Sequence, residues 1–291
     1  MTCSKSRRPL TLEDFVLIDK IGQGSYSTVH LAESSGKEYA LKIIKKSTVQ
    51  NVAELNSLKN EIAIQSQLRH ENILKFYGHF VTDEEVVLIL DFAPNSTLHN
   101  LLLCRPGNKL TEPIASRFTR QIAEGLNFCR SRNVIHRDLK LENILLDENL
   151  IPRIGDFGFS CVSKKSKRET RRGTPDYVSP EIILGIPYDH NVDNWSLGVL
   201  VFELVVGRAP FLDSNGMTSS KSILAVDYQT PESVSREVHH LIDGLLQKNP
   251  TDRLPIFHVL KHLWIQAMRE NEAAHWKMFV KQLTEPDKNS L

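Results

Sequence analysis

The chain has 291 residues, 41% of them hydrophobic and 24% charged, a balance that fits a globular protein and excludes a disordered or fibrous one. Its formal net charge of +1 gives no global field to recruit nucleic acid or an anionic membrane, so charge-based recognition has to be local. The four cysteines (Cys3, Cys104, Cys129, Cys161) lie far apart, form no CxxC pair and read as reduced thiols.

In chain order, residues 1–14 read as an N-terminal extension. Met1 to Arg8 carry charge without the apolar run of a secretory signal, so an intracellular protein is expected. Short apolar runs come next at Phe15–Ile18, Thr28–Leu31, Tyr39–Ile44 and Val86–Leu90, each of strand length. Between them, Leu55, Leu58, Ile62, Gln65 and Leu68 recur at helical spacing, which predicts one helix over Val52–Leu68. Residues 15–90 therefore form a β-rich lobe, and 91–96, with Pro94 in a polar turn, connect it to a second lobe.

Longer helical patterns then dominate 97–265, notably Ile114–Arg130, Val192–Val206 and Val234–Leu246. The most apolar stretch, Trp195–Gly207, contains Glu203 and falls short of the ~20 residues a membrane span needs, so it reads as a buried core helix. Lys164–Arg172 and Asp213–Ser222 read as loops. The tail, 266–291, is expected to carry a weakly packed helix around Trp276, Met278, Phe279 and Val280, with disorder from Thr284.

Four local patterns carry chemistry. Gly22 and Gly24, in Ile21–Val29, let backbone approach phosphate oxygens, although such a pair between strands is as readily a tight turn. Lys42 stands in an otherwise apolar strand and needs an anionic partner; Glu61 or, one heptad earlier, Glu54 can supply it and hold the ammonium against phosphates. In His136–Asn143, Asp138 and Asn143 are spaced so that one accepts a hydroxyl proton while the other binds a metal ion. Asp156, in Asp156-Phe157-Gly158, is a hard oxygen ligand for Mg²⁺.

Taken together with Ser179-Pro180-Glu181, Asp193–Gly198 and Arg253, these motifs resemble those of eukaryotic protein kinases from Phe15 to Ile265. The resemblance implies an α+β, bilobal fold: a small β-rich N-lobe, a larger helical C-lobe and an ATP cleft between them. It also implies that Arg253 pairs with Glu181. Lys140 and Thr174 mark serine/threonine specificity, with Lys140 contacting the transferred phosphate. Asp91 and Ala93 offer backbone groups to adenine, Leu90 is the gatekeeper, and Ile21, Val29, Ala40 and Leu145 enclose the nucleotide. ATP and Mg²⁺ are the implied cofactors.

Within that superfamily the chain is most similar to the Aurora kinases, on Ile64–Gly78, Leu88–Pro94 and Asn133–Asp138. Gln65 carries the likeness best, since most kinases place leucine or methionine there. A polar group at that position docks the helix poorly, which implies an activating protein on the N-lobe or a phosphorylation that completes docking. Ser27 in place of the third glycine, Leu141 in place of proline and Arg171-Arg172 depart from the Aurora pattern. Calcium/calmodulin-type and Polo-type kinases are alternative relatives, and a pseudokinase scaffold is the alternative class.

By position Thr170 matches the activation-loop phosphosite, and its phosphate would meet Arg137. Glu142 resembles the position that reads arginine before the acceptor, so protein substrates with basic residues there are expected. The catalytic domain is expected to be monomeric, with no nucleic acid or membrane partner. His258 and His262, four apart on an expected helix, read as helix surface, and Cys161 as an accessible thiol of ordinary reactivity.

Overall fold

A computed structural model describes residues 10–24, 27–49, 51–162, 174–213 and 215–284. Five antiparallel strands make the first lobe: β1 (Val16–Gln23), β2 (Ser27–Ser34), β3 (Lys37–Lys45), β4 (Phe76–Val81) and β5 (Glu85–Asp91), in the order β1-β2-β3-β5-β4. Strand β4 was not among the expected strands, because Gly78 and His79 interrupt its apolar pattern. The register sets Lys42 opposite Leu88 and Ala40 opposite Leu90, so strand alternation sends successive β3 side chains to opposite faces. One face buries Phe15, Ala32, Leu41, Ile43, Phe80, Val87 and Ile89 as a compact apolar cluster.

Helix α1 (Val52–Gln65) is the one α-helix among the lobe's described residues; the Asn51 side chain caps it by accepting from the Glu54 N–H at 2.9 Å. It ends at Gln65 rather than Leu68. Its buried face is Glu61, Ile64 and Gln65, whereas Leu55, expected inside, is 41% exposed. The sequence period misplaced the stripe because the helix turns charged and amide groups inward.

The second lobe is built on α3 (Glu112–Ser131) and α5 (Asn191–Val206), preceded by α2 (Leu98–Leu103). Helix α5 is buried at nearly every position from Val192 to Val205, its mostly apolar run from Leu197 to Val205 filling the core and Asp193, Asn194 and Ser196 buried with hydrogen-bond partners. Its C-terminal Gly207 has φ 89°, and a Cβ there would lie 2.2 Å from the Gly107 carbonyl oxygen, so only glycine fits. Short antiparallel pairs β6 (Val134–Ile135) with β9 (Cys161–Val162) and β7 (Ile144–Leu146) with β8 (Pro152–Ile154) frame the cleft side. Helices α4 (Pro180–Leu184), α6 (Ser220–Ala225), α7 (Arg236–Leu245), α8 (Ile256–Val259), α9 (Leu263–Met268) and α10 (Glu272–Thr284) complete the lobe.

Three expectations are corrected. The tail helix is not weakly packed: Trp276 meets Phe118 edge-on at 5.8 Å, Phe279 is buried, and Glu272 accepts from Arg120 at 2.9 Å and from Arg117. His258 and His262 do not share a helix, since α8 stops at Val259; His262 caps α9 and its Nε2 lies 2.8 Å from His240 Nδ1. Cys161 is buried on β9 rather than accessible, and the described cysteines form no disulfide.

Candidate active site

Asp138 is 4% exposed and receives hydrogen bonds from three sides. Asn143 Nδ2 donates to its Oδ2 at 3.0 Å; the Thr174 N–H and hydroxyl donate to its Oδ1 at 3.2 and 3.1 Å. Lys140 Nζ lies 3.2 Å from Asp138 Oδ2 and donates to Thr174 Oγ1 at 2.7 Å. Three candidate residues thus converge at one carboxylate.

The loop carrying Asp138 is fixed from below by α5. The Asp193 carboxylate accepts from the backbone N–H groups of His136 and Arg137 at 2.8 and 2.9 Å. Arg137 takes φ 70°, a left-handed conformation that needs such support. The His136 ring lies 2.9 Å from the Gly155 carbonyl and edge-on to Phe157 at 4.9 Å, tying the loop to the Asp156 segment. Arg137 itself donates to the carbonyls of Phe159 and Ser160 and to the Tyr188 hydroxyl.

Across the cleft, Lys42 Nζ donates to Glu61 Oε1 at 2.6 Å and to Asp156 Oδ1 at 3.2 Å. Glu61, not Glu54, is therefore its helical partner. Burial works against the Lys42 charge, but Glu61 and Asp156 outweigh it and lift its pKa above the ordinary lysine value. For Asp156, burial favours the neutral acid, yet the adjacent ammonium draws its pKa below the usual carboxylate value. The Asp156 side chain remains 44% exposed, open toward the cleft.

Leu90, Ala40 and Leu74 form a buried apolar patch, with Val29, Phe76 and Leu145 packed against it. Leu74 and Phe76 were not foreseen there. Asp91 ends β5, its N–H donating to the Lys75 carbonyl, and Ala93 comes two residues later; the Asp91 carboxylate accepts from Tyr77. Gly22 is in β1 and Gly24 in the turn after it, where a Cβ would meet Ser27 Oγ at 3.0 Å. Thr170, with the basic stretch Lys164–Arg172, lies outside the described residues.

A model of the protein kinase domain matches residues 15–265. The chain belongs to the protein kinase family. It is 41% identical to Aurora kinase A-A of Xenopus laevis over 256 residues, 87% of this chain and 62% of that protein. It is 36% identical to Aurora kinase C of Mus musculus over 265 residues, 90% of this chain and 95% of the relative. With the Aurora kinase of Saccharomyces cerevisiae it shares 36% over 261 residues, covering 89% and 71%. The chain is a divergent, Aurora-like protein kinase, and it spans 62% of the length of the Xenopus relative.

The protein kinase family uses ATP as phosphate donor, Mg²⁺ as its usual cofactor and proteins as substrates, and the residues present suit that set. Asn143 spends its amide N–H groups on the carbonyl and carboxylate of Asp138, leaving its carbonyl oxygen as a hard donor, and the Asp156 carboxylate is open. No cluster of three or more His, Cys, Asp or Glu that could hold a metal unaided occurs among the described residues. A cation that takes one or two protein oxygens and completes its shell from phosphates and water fits such a site.

Sequence reasoning missed an acidic group beside Glu142. Asp176 is raised in pKa by burial and by Glu142, and Glu203 by burial, with Glu142 and Asp176 adding to it. The Tyr177 hydroxyl donates to Glu203, setting its position. These carboxylates are 27 positions or more apart in the chain, so only the fold brings them together. No described helix is long and apolar enough to cross a membrane.

Proposed function

We propose that this chain is a serine/threonine protein kinase that transfers the γ-phosphate of MgATP to a protein hydroxyl, with residues 15–90 and 97–265 as its lobes and 91–96 as the hinge. The convergence of Lys140, Asn143 and Thr174 on Asp138, facing Lys42, Glu61 and Asp156 across the cleft, supports this reading most directly. The substrate hydroxyl gives its proton to Asp138 as its oxygen bonds to the γ-phosphorus, and the bridging P–O bond to the β-phosphate breaks to leave ADP. Lys140 faces the transferred phosphoryl group, and Lys42, held by Glu61, faces the remaining phosphates.

Asp156 and Asn143 hold Mg²⁺, which neutralises phosphate charge when bound. Ile21, Gly22, Gly24, Val29, Ala40, Leu90 and Leu145 enclose the nucleotide, and backbone at Asp91 and Ala93 meets the adenine edge. Glu142, with Asp176 and Glu203, selects peptides with a basic residue before the acceptor. Thr170 is the activating phosphosite, read by Arg137, and a protein docking on the N-lobe completes the placement of α1 around Gln65.

Incubation with MgATP and serine, threonine or tyrosine peptides, with and without arginine before the acceptor, tests these points together. Transfer to the arginine-bearing serine or threonine peptides, and phosphate on Thr170 in the wild type but not in Asp138→Asn, is expected. A wild type that binds ATP and transfers nothing would place the chain with scaffolding pseudokinases instead.

A further inference from the structure

Helix α1 grips the segment Asp156–Gly158 at two heights. Glu61 does so through Lys42, which reaches Asp156 Oδ1. One turn earlier on the same face, Ser57 donates its hydroxyl to the Gly158 carbonyl oxygen at 2.9 Å. A helical serine ordinarily turns its hydroxyl back on its own helix, as Ser131 does to Phe128 and Ser196 to Val192. Ser57 instead spends its proton on backbone from the other lobe.

The acceptor segment needs such holding. Asp156 has φ 53°, a left-handed conformation that a non-glycine residue keeps only when its surroundings impose it. Phe157, fully buried against His136, anchors the segment to the catalytic loop. On the other side Gly158 is pressed close: a Cβ would sit 3.2 Å from Asp156 Oδ1 and 3.3 Å from Glu61 Oε2. The Gly158 N–H donates to Asp156 Oδ1 at 3.4 Å, so the placement of Gly158 bears on where the Asp156 carboxylate points, and Ser57 is the α1 side chain bonded to the Gly158 carbonyl.

We propose that Ser57 is a positioning residue for phosphoryl transfer: its hydroxyl fixes the Gly158 carbonyl and thereby holds Asp156 in the orientation that binds Mg²⁺. This rests on the reading of Asp156 as the metal ligand. Ser57 touches neither phosphate nor acceptor; it acts through the backbone that carries Asp156. It also makes the placement of α1 felt at the metal by a route separate from Lys42 and Glu61.

The test compares wild type, Ser57→Ala and Ser57→Thr in peptide phosphorylation across a Mg²⁺ titration, alongside thermal melting. For Ser57→Ala, kcat falls about three- to tenfold, as loss of one hydrogen bond would give. The Mg²⁺ concentration for half-maximal rate rises by a similar factor, while peptide KM and the melting midpoint hold. Ser57→Thr, which keeps the hydroxyl, restores both parameters. Mg²⁺-dependent binding of a non-hydrolysable ATP analogue gives the same comparison without relying on peptide transfer. An unchanged Mg²⁺ dependence in Ser57→Ala, or equal losses in the alanine and threonine variants with a lowered melting midpoint, would overturn the proposal. A wild type whose nucleotide binding ignores Mg²⁺ would sink the reading of Asp156 first, and the role of Ser57 with it.

Discussion

The catalytic loop and helix α1 face the same cleft but are held in opposite ways. Around Asp138 the backbone is locked by the buried Asp193 carboxylate, by His136 against Gly155 and by Asn143 folded back on Asp138. Helix α1 has three buried residues, of which Glu61 and Gln65 are polar, and it leaves Val52 and Leu55 to solvent. Among the described residues its polar ties to the catalytic segments include the Lys42–Glu61 pair and the Ser57–Gly158 bond. A loop embedded in a lobe core keeps its geometry with or without ligand, whereas an element with few buried apolar contacts opens at low cost and can be biased by a partner. The chemistry is therefore set in the large lobe and its readiness in the small one.

The largest effect comes from removing the base. Asp138→Asn keeps the shape and the hydrogen bonds from Thr174 but accepts no proton and turns an amide donor toward Asn143 and Lys140; kcat should fall by about 10²–10⁴-fold in a steady-state assay. Next is the anchor of the large lobe. Arg253, 2% exposed, holds Glu181 through two bonds of 2.6 and 2.7 Å and lies over Trp195, so Glu181→Ala strands a buried cation. Chemical denaturation should show a loss of about 3–5 kcal/mol. A variant of α1 should cost far less, and that contrast is the comparison in measurable form.

Gln65→Leu works the other way. Replacing a 2% exposed amide by an apolar side chain should dock α1 more firmly and raise basal kcat/KM about two- to fivefold, the scale of a ~0.5–1 kcal/mol population shift. No rise would remove Gln65 from the account of regulation. The smallest effect is in the pH profile of recognition. Because Asp176 and Glu203 both have raised pKa values, they become protonated at higher pH than ordinary carboxylates as pH falls. The KM for an arginine-bearing peptide should rise on acidification before kcat declines, and Glu203→Gln should flatten that rise. Asp156 has the opposite sign: its depressed pKa contributes stability above the ordinary carboxylate pKa, lost only as pH falls through the lowered value.

Much of this was legible in the sequence because the decisive groups are close in the chain. Asp138, Lys140 and Asn143 share one loop, and Asp156 stands just across the short β7–β8 hairpin, so spacing alone assembled them. The pairing of Arg253 with Glu181, implied by the kinase resemblance, appears as a bidentate bond. What escaped depends on contacts between distant segments. Glu142 was expected to read a basic residue, but nothing in the chain joins it to Asp176 and Glu203 until α5 and the loop at Asp176 meet, and Ser57 is a helical serine like any other until Gly158 lies against it. The tail helix was underrated because its charges read as solvated, whereas Glu272 is spent on Arg117 and Arg120. Its apolar side packs on α3 through Trp276. Periodicity also placed the α1 stripe on Leu55, since a helix that buries a carboxylate and an amide does not announce its inner face by hydrophobicity.

Amide hydrogen exchange, followed separately over Val52–Gln65 and His136–Asn143, tests the division between the two regions most directly. The account predicts slow exchange in the catalytic loop with or without Mg²⁺ and a non-hydrolysable ATP analogue, and fast exchange in α1 that slows when they are added. Equal protection of both segments in the free protein, or a catalytic loop that becomes ordered only on nucleotide binding, would contradict it.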